Sequence, residues 1–154
     1  VFFCTFSYIK SQPELIQRMI DEGHIVGNHS DKHPCFPEVS IERREQEVLN
    51  VHQYMLDNYN YTMTLFRAPA GEFSEQTLAQ TQELGYKTVF WSYAYKDWDP
   101  NNQMGPENAL PKITKALHPG AIYLLHAVSP DNAAILGDFI DNAREAGYNF
   151  ALFQ

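Results

Sequence analysis

Gly23-His24-Ile25-Val26-Gly27-Asn28-His29-Ser30-Asp31-Lys32-His33-Pro34 is the stretch on which the fold turns. His24 to Asn28 reads as a short apolar strand, and Gly27 and Pro34 bracket the segment between them as loop rather than helix. His29 and His33 therefore stand on an irregular segment, where both imidazoles can converge on one point. Neutral imidazole is the commonest metal ligand in proteins, and a catalytic zinc usually takes three protein ligands plus a water. Two solvated loop histidines would show the same spacing, so the remaining polar residues must decide between these readings.

Working toward the N-terminus, Val1 to Phe6 is a β-prone run, and Ser11-Gln12-Pro13-Glu14 has the spacing of a capping box. The helix it opens would bury Leu15, Ile16, Met19 and Ile20 and end at Gly23. Toward the C-terminus, Ser40 is placed to cap a long helix in which Ile41, Val48, Leu49, His52, Met55 and Leu56 share a side. Glu42-Arg43-Arg44-Glu45 then reads as its solvated face. Thr64 to Phe66 is a third strand, followed by the turn Arg67-Ala68-Pro69-Ala70-Gly71. Ser74 and Gly85 bound the next helix, and Thr88 to Trp91 is a fourth strand running through Ser92–Tyr95 into Asp97-Trp98. A helix carrying Leu110, Ile113 and Leu117 stops at His118-Pro119-Gly120. Ala121 to His126 makes a fifth strand, Asn132 to Ala146 a helix with Ile135, Leu136, Phe139 and Ile140 inward, and Tyr148 to Phe153 a sixth strand.

This alternation of strand and helix predicts an α/β fold with a parallel sheet, either open and doubly wound or closed as a (β/α) barrel. The 154 residues, 44% of them hydrophobic, suit a single domain over 1–154. The net charge of -8 excludes a phosphate-binding surface and so nucleic acid as a partner. No apolar run reaches the roughly 20 residues that span a bilayer. Cys4 and Cys35 are too few to imply a disulfide framework.

His29, Arg67, Asp97 and His126 each fall just past the end of a different predicted strand, the edge where parallel α/β folds carry their active sites. Dismissing them would take four separate structural explanations. His126 is placed for a general acid, with Asp97 a carboxylate partner that would hold one tautomer. Trp98 reads either as core or as a site wall.

With these residues assembled, the sequence resembles the polysaccharide deacetylases, carbohydrate esterase family 4. His29-Ser30-Asp31-Lys32-His33 is similar to that family's H-S/T-x-x-H metal motif, and Arg67-Ala68-Pro69-Ala70-Gly71 to its R-P-P-x-G motif. Asp97-Trp98 is similar to its D-W motif and Leu124-Leu125-His126 to its L-x-H motif. Trp91 to Trp98 and His126 to Ala133 further resemble the delta-lactam-forming muramic acid deacetylases of spore peptidoglycan.

The resemblance implies a distorted parallel (β/α) barrel in which His29 and His33 bind a divalent metal, usually Zn2+. Arg67 would orient the catalytic base, His126 would protonate the leaving amine, and the Ala70 N–H would meet the oxyanion. Trp98 and Leu124 would line the acetyl pocket. Peptidoglycan or a related amino-sugar polysaccharide would be the partner, and the location extracytoplasmic, in the cell envelope or secreted. The family's T-F-D-D-G motif, source of the base Asp and the third metal ligand, has no match in the chain. The expectation is that it precedes Val1, so that the first strand and helix of the barrel are missing and this fragment is inactive alone. Competing readings are a catalytically dead sugar-binding relative, a deacetylase of chitin-type or N-acetylglucosamine substrates, and a structural zinc site built from His29, His33 and Cys35.

Overall fold

Phe2–Cys4 (β1), Val26–Asn28 (β2), Leu65–Phe66 (β3) and Lys87–Thr88 (β4) lie side by side in that order, every pair parallel. The computed structural model describes residues 1–153, which form two compact units, Val1–Phe90 and Trp91 onward. In the first, Phe2 pairs with Val26, Cys4 with Asn28, Asn28 with Phe66 and Phe66 with Thr88. Each crossover is helical, as a parallel connection requires: Phe6–Ser11 (α1) and Pro13–Asp21 (α2), Ile41–Tyr59 (α3), then Glu75–Glu83 (α4). The second unit pairs Tyr93–Ala94 (β5) in parallel with Tyr123–Leu124 (β6) and carries Pro106–Lys115 (α5) and Pro130–Glu145 (α6).

Several local expectations hold for the reasons given. The Ser40 hydroxyl accepts from the Arg43 N–H at the start of α3, and Ser74 forms a reciprocal capping box with Thr77 on α4. Gly23 and Gly85 follow α2 and α4 with φ of 78° and 86°, backbone that an L side chain resists.

Others are corrected. The box at Ser11 does not form, because α1 already occupies Phe6–Ser11; Ser11 instead donates to the Tyr8 carbonyl (3.0 Å), and Pro13 opens α2, where its missing N–H costs nothing. Leu15 is exposed and Ile16 takes the buried position. On α3 the buried stripe is Arg44, Glu47, Val48, Val51 and Met55, whereas Ile41, Leu49 and Leu56 are exposed. The stripe is rotated from the expected one, so Arg44 is buried and donates to Gln76 Oε1 (2.9 Å) instead of facing solvent. Leu136 on α6 is likewise exposed. The strand expected over Thr88–Trp91 is only Lys87–Thr88 and the one over Ala121–His126 only Tyr123–Leu124, while Tyr93–Ala94 forms a separate strand past Trp91. Residues 148–153 form no strand, for they find no ladder partner among the described residues, and Phe150, Leu152 and Phe153 are exposed.

The first unit's core gathers Ile9, Ile16, Val26, Phe36, Val48, Val51, Met55 and Phe66. Ala109, Ile113, Ile135 and Phe139 fill the second, with Tyr93 and Tyr123 packed on them. Each fully buried side chain of the Val, Ile, Met or Phe type contributes roughly 1.5–3 kcal/mol. The cores thus fix the strand ends from which the polar residues project.

Candidate functional site

In the first unit, Asn28 ends β2 and turns the chain into the histidine loop. The His29 N–H donates to the Cys4 carbonyl (3.1 Å) and the Arg67 N–H to the Asn28 carbonyl (3.0 Å), so both residues leave the sheet at one edge. His29 Nδ1 lies 2.8 Å from the Arg67 carbonyl oxygen. A carbonyl only accepts, so Nδ1 carries the hydrogen and Nε2 keeps the lone pair a metal needs, a common orienting arrangement for metal-binding histidines. The His33 ring stands beside it, centroids 4.9 Å apart and planes at 81°. Ser30 and His33 have φ of 67° and 56°, a left-handed backbone costing about 1–2 kcal/mol per residue. Side-chain contacts offset that cost: Asn28 Oδ1 accepts from the Ser30 N–H (2.9 Å), and Ser30 Oγ from the His33 N–H (3.0 Å). Asn28 itself is anchored by donating to the Val48 carbonyl (2.9 Å) and the Tyr86 hydroxyl (3.2 Å).

This donor set suits a divalent cation as two of three protein ligands. Among the described residues no third His, Cys, Asp or Glu, Cys35 included, joins them. Glu72 holds the Cys35 thiol above its ordinary pKa of 9.0, and the Asp31 carboxylate meets Asn50 (3.2 Å) and Lys32 (3.2 Å).

Arg67 is buried, its guanidinium 4.1 Å above the Phe3 ring and its Nε 3.4 Å from the Val89 carbonyl. Burial pushes its pKa down to about 10. The ring reaches that position because residue 27 is glycine: a Cβ there would come 2.5 Å from Phe3 Cδ1. Downstream, the Arg67–Gly71 turn is closed by Gly71 N–H to the Ala68 carbonyl (3.0 Å) and Glu72 N–H to that of Pro69 (3.1 Å). Ala70 sits exposed at its apex with φ 53°.

In the second unit, Asp97 is fully buried and its carboxylate organises everything around it. Oδ1 lies 2.6 Å from His126 Nδ1, while Oδ2 accepts from the His126 N–H (2.7 Å) and from Asn132 Nδ2 (2.6 Å). Burial alone would raise the Asp97 pKa, but the His126 ring, the His126 N–H and Asn132 together hold it below its ordinary 3.8. Nδ1 of His126 is thereby committed to the carboxylate, and Nε2 is the nitrogen left to exchange a proton with a reactant. The His126 side chain is 38% exposed against 0% for Asp97, a half-open imidazole on a closed carboxylate.

Asn132 was missed in the sequence. It lies in the first turn of α6, which Ser129 caps (3.1 Å), accepts from the Tyr95 hydroxyl, and also donates to the His126 carbonyl (3.1 Å). Only its place in a helix start marked it, and that signal is shared by any capped helix. Leu124 lies on β6 and is half-buried. Trp98 is 58% exposed with Lys96 Nζ 5.6 Å from its ring, so it is a surface aromatic and not core. The structure thus gathers His29, His33 and Arg67 in one unit, and Asp97 and His126 in the other.

The chain belongs to the polysaccharide deacetylase family, whose sequence profile matches residues 1–89. It is 46% identical over 151 residues to the peptidoglycan-N-acetylmuramic acid deacetylase PdaA of Bacillus subtilis (strain 168), covering 97% of this chain and 57% of that relative. The solved structure of Bacillus subtilis PdaA, described as a family 4 carbohydrate esterase, superposes with a TM-score of 0.92 at 45% identity, covering 97% of this chain and 64% of that one. A family 4 carbohydrate esterase from Bacillus anthracis superposes with a TM-score of 0.81 at 44% identity, with the same coverage of each chain. The chain therefore spans under two thirds of each of these three matched chains. No helix among the described residues is long and apolar enough to cross a membrane.

Proposed function

We propose that the protein is a metal-dependent N-deacetylase of amino sugars in peptidoglycan, acting on N-acetylmuramic acid residues outside the cytoplasm. The reading is carried by the imidazole pair of His29 and His33, with His29 Nδ1 hydrogen-bonded to the Arg67 carbonyl (2.8 Å), in a chain 46% identical to a muramic acid deacetylase. Water is added across the acetyl amide: the C–N bond breaks, the water oxygen leaves in acetate, and the nitrogen leaves as the sugar amine.

His29 and His33 would hold a divalent cation, usually zinc, which supplies Lewis-acid polarisation of the acetyl carbonyl and of water. A carboxylate beyond the His29–His33 pair completes the ligand set and another acts as base. Arg67, fixed over Phe3, orients that base. The Ala70 N–H donates to the developing oxyanion. His126 gives its Nε2 proton to the departing nitrogen, and Asp97 keeps Nδ1 protonated and the ring in register. Trp98 and Leu124 wall the acetyl group.

The test is acetate release by the full-length protein from muramic-acid-containing glycan strands and from chitin oligomers, with metal content of His29→Ala and His33→Ala measured by elemental analysis. The expected result is release from the first substrate and loss of metal in both variants. Release from chitin alone would keep the chemistry and overturn the substrate. Glycan binding without any release would establish a sugar-binding protein, and normal metal content in both variants would overturn the ligand assignment.

A further inference from the structure

We propose that Glu47 is the positioning residue that sets the geometry of the histidine loop. The inference rests on the reading that His29 and His33 hold the metal. Glu47 belongs to none of the motifs that stand out in the sequence, where it is one acidic residue of a charged helix. It is 1% exposed, yet its carboxylate is aimed at loop backbone and not at solvent. Oε2 accepts from the Lys32 N–H at 2.6 Å, Oε1 accepts from Arg43 Nη2, and the Glu47 main-chain oxygen accepts from the Asp31 N–H at 3.1 Å. One residue of α3 thus takes two consecutive amides of the segment joining the two histidines.

Those amides lie between Ser30 and His33, both held in left-handed backbone. Such a conformation persists where the surroundings over-determine it. The Ser30 side of the segment is fixed by Asn28 and the His33 side by Ser30 Oγ; in the middle, Asn50 holds the Asp31 carboxylate (3.2 Å) and Glu47 takes both main-chain amides. A buried carboxylate accepting a backbone N–H makes a charge-assisted bond, and Arg43 on the same helix balances its charge. The spacing of the two rings is therefore held from α3 as well as from the sheet.

The test compares Glu47→Ala, Glu47→Gln and the core control Val51→Ala in the full-length protein. Val51 is fully buried on the same helix but makes no bond to the loop. Three readouts are taken: amide hydrogen exchange at Asp31 and Lys32 without metal, zinc affinity by chelator competition, and the visible spectrum of the cobalt-loaded protein. Glu47→Ala removes the acceptor of the Lys32 N–H but keeps the main-chain oxygen that takes the Asp31 N–H, so it is expected to speed exchange at Lys32 more than at Asp31, to weaken zinc about 10–100-fold, as loss of an outer support does, and to alter the cobalt spectrum. Glu47→Gln keeps an acceptor for the Lys32 N–H and is expected to recover most of the affinity, whereas Val51→Ala lowers thermal stability and leaves affinity and spectrum unchanged. Wild-type exchange at Lys32 in Glu47→Ala overturns the proposal, as does a Glu47→Gln no better than alanine, or equal loss of affinity in Val51→Ala. A wild-type protein that retains no zinc overturns the ligand assignment instead, and the exchange data then still decide whether Glu47 holds the loop.

Discussion

Replacing Asp97 with asparagine probes a fully buried carboxylate with every donor accounted for. Its carboxylate takes three donors, the His126 ring on one oxygen and the His126 N–H with Asn132 Nδ2 on the other. In Asp97→Asn the amide oxygen can serve the two-donor side, which turns the NH2 toward His126 Nδ1. The imidazole must then move its hydrogen to Nε2 in order to accept. Bonds to a charged group are worth about 1.5–3 kcal/mol and neutral ones about 0.5–1.5, so losing the charge across three donors costs roughly 3 kcal/mol. The sign with pH comes from the lowered Asp97 pKa. The folded state binds its proton less readily than the unfolded one, so this stability is fully present above the unfolded value of 3.8 and is lost as pH falls through the lower folded value. Urea unfolding of wild type and variant over a pH series should show the full difference near neutrality and a shrinking one below 3.8. A variant within about 0.5 kcal/mol of wild type near neutrality, the size of an ordinary surface change, would refute the reasoning. A difference that stays constant into acid would do the same.

His126→Ala should lower turnover by about 10²–10⁴, the usual contribution of a general acid, without loss of metal; unchanged turnover in a steady-state assay would place the proton donor elsewhere. Gly27→Ala should drive the Phe3 ring off the strand and out from under Arg67, since the new Cβ would meet it at 2.5 Å. Thermal unfolding should register about 1–3 kcal/mol for this overpacking, and an unaltered melting temperature would show that the ring moves at no cost.

Much of this is written in the order of the residues alone. Alternating apolar runs and capped helices determine the α/β class, because helix starts and stops depend on atoms a few residues apart: Ser40 needs only the Arg43 N–H, and Ser74 only Thr77. The histidine pair, Arg67, Asp97 and His126 are legible for a similar reason, as polar residues stranded at the ends of apolar runs. Tertiary structure decided the rest. The buried stripe of α3 runs through Val48, Val51 and Met55 and not through Leu49 and Leu56, because facing a sheet is a property of docking and Leu49 and Leu56 are as apolar in sequence as the residues that are buried. Tyr93–Ala94 became a strand and residues 148–153 did not, since a ladder requires a partner that local sequence cannot name. Asn132 meets Asp97 across 35 positions, and Glu47 meets Lys32 across 15. A buried polar side chain takes its role from whatever donor or acceptor the fold brings to it, and that choice is made only when distant segments pack.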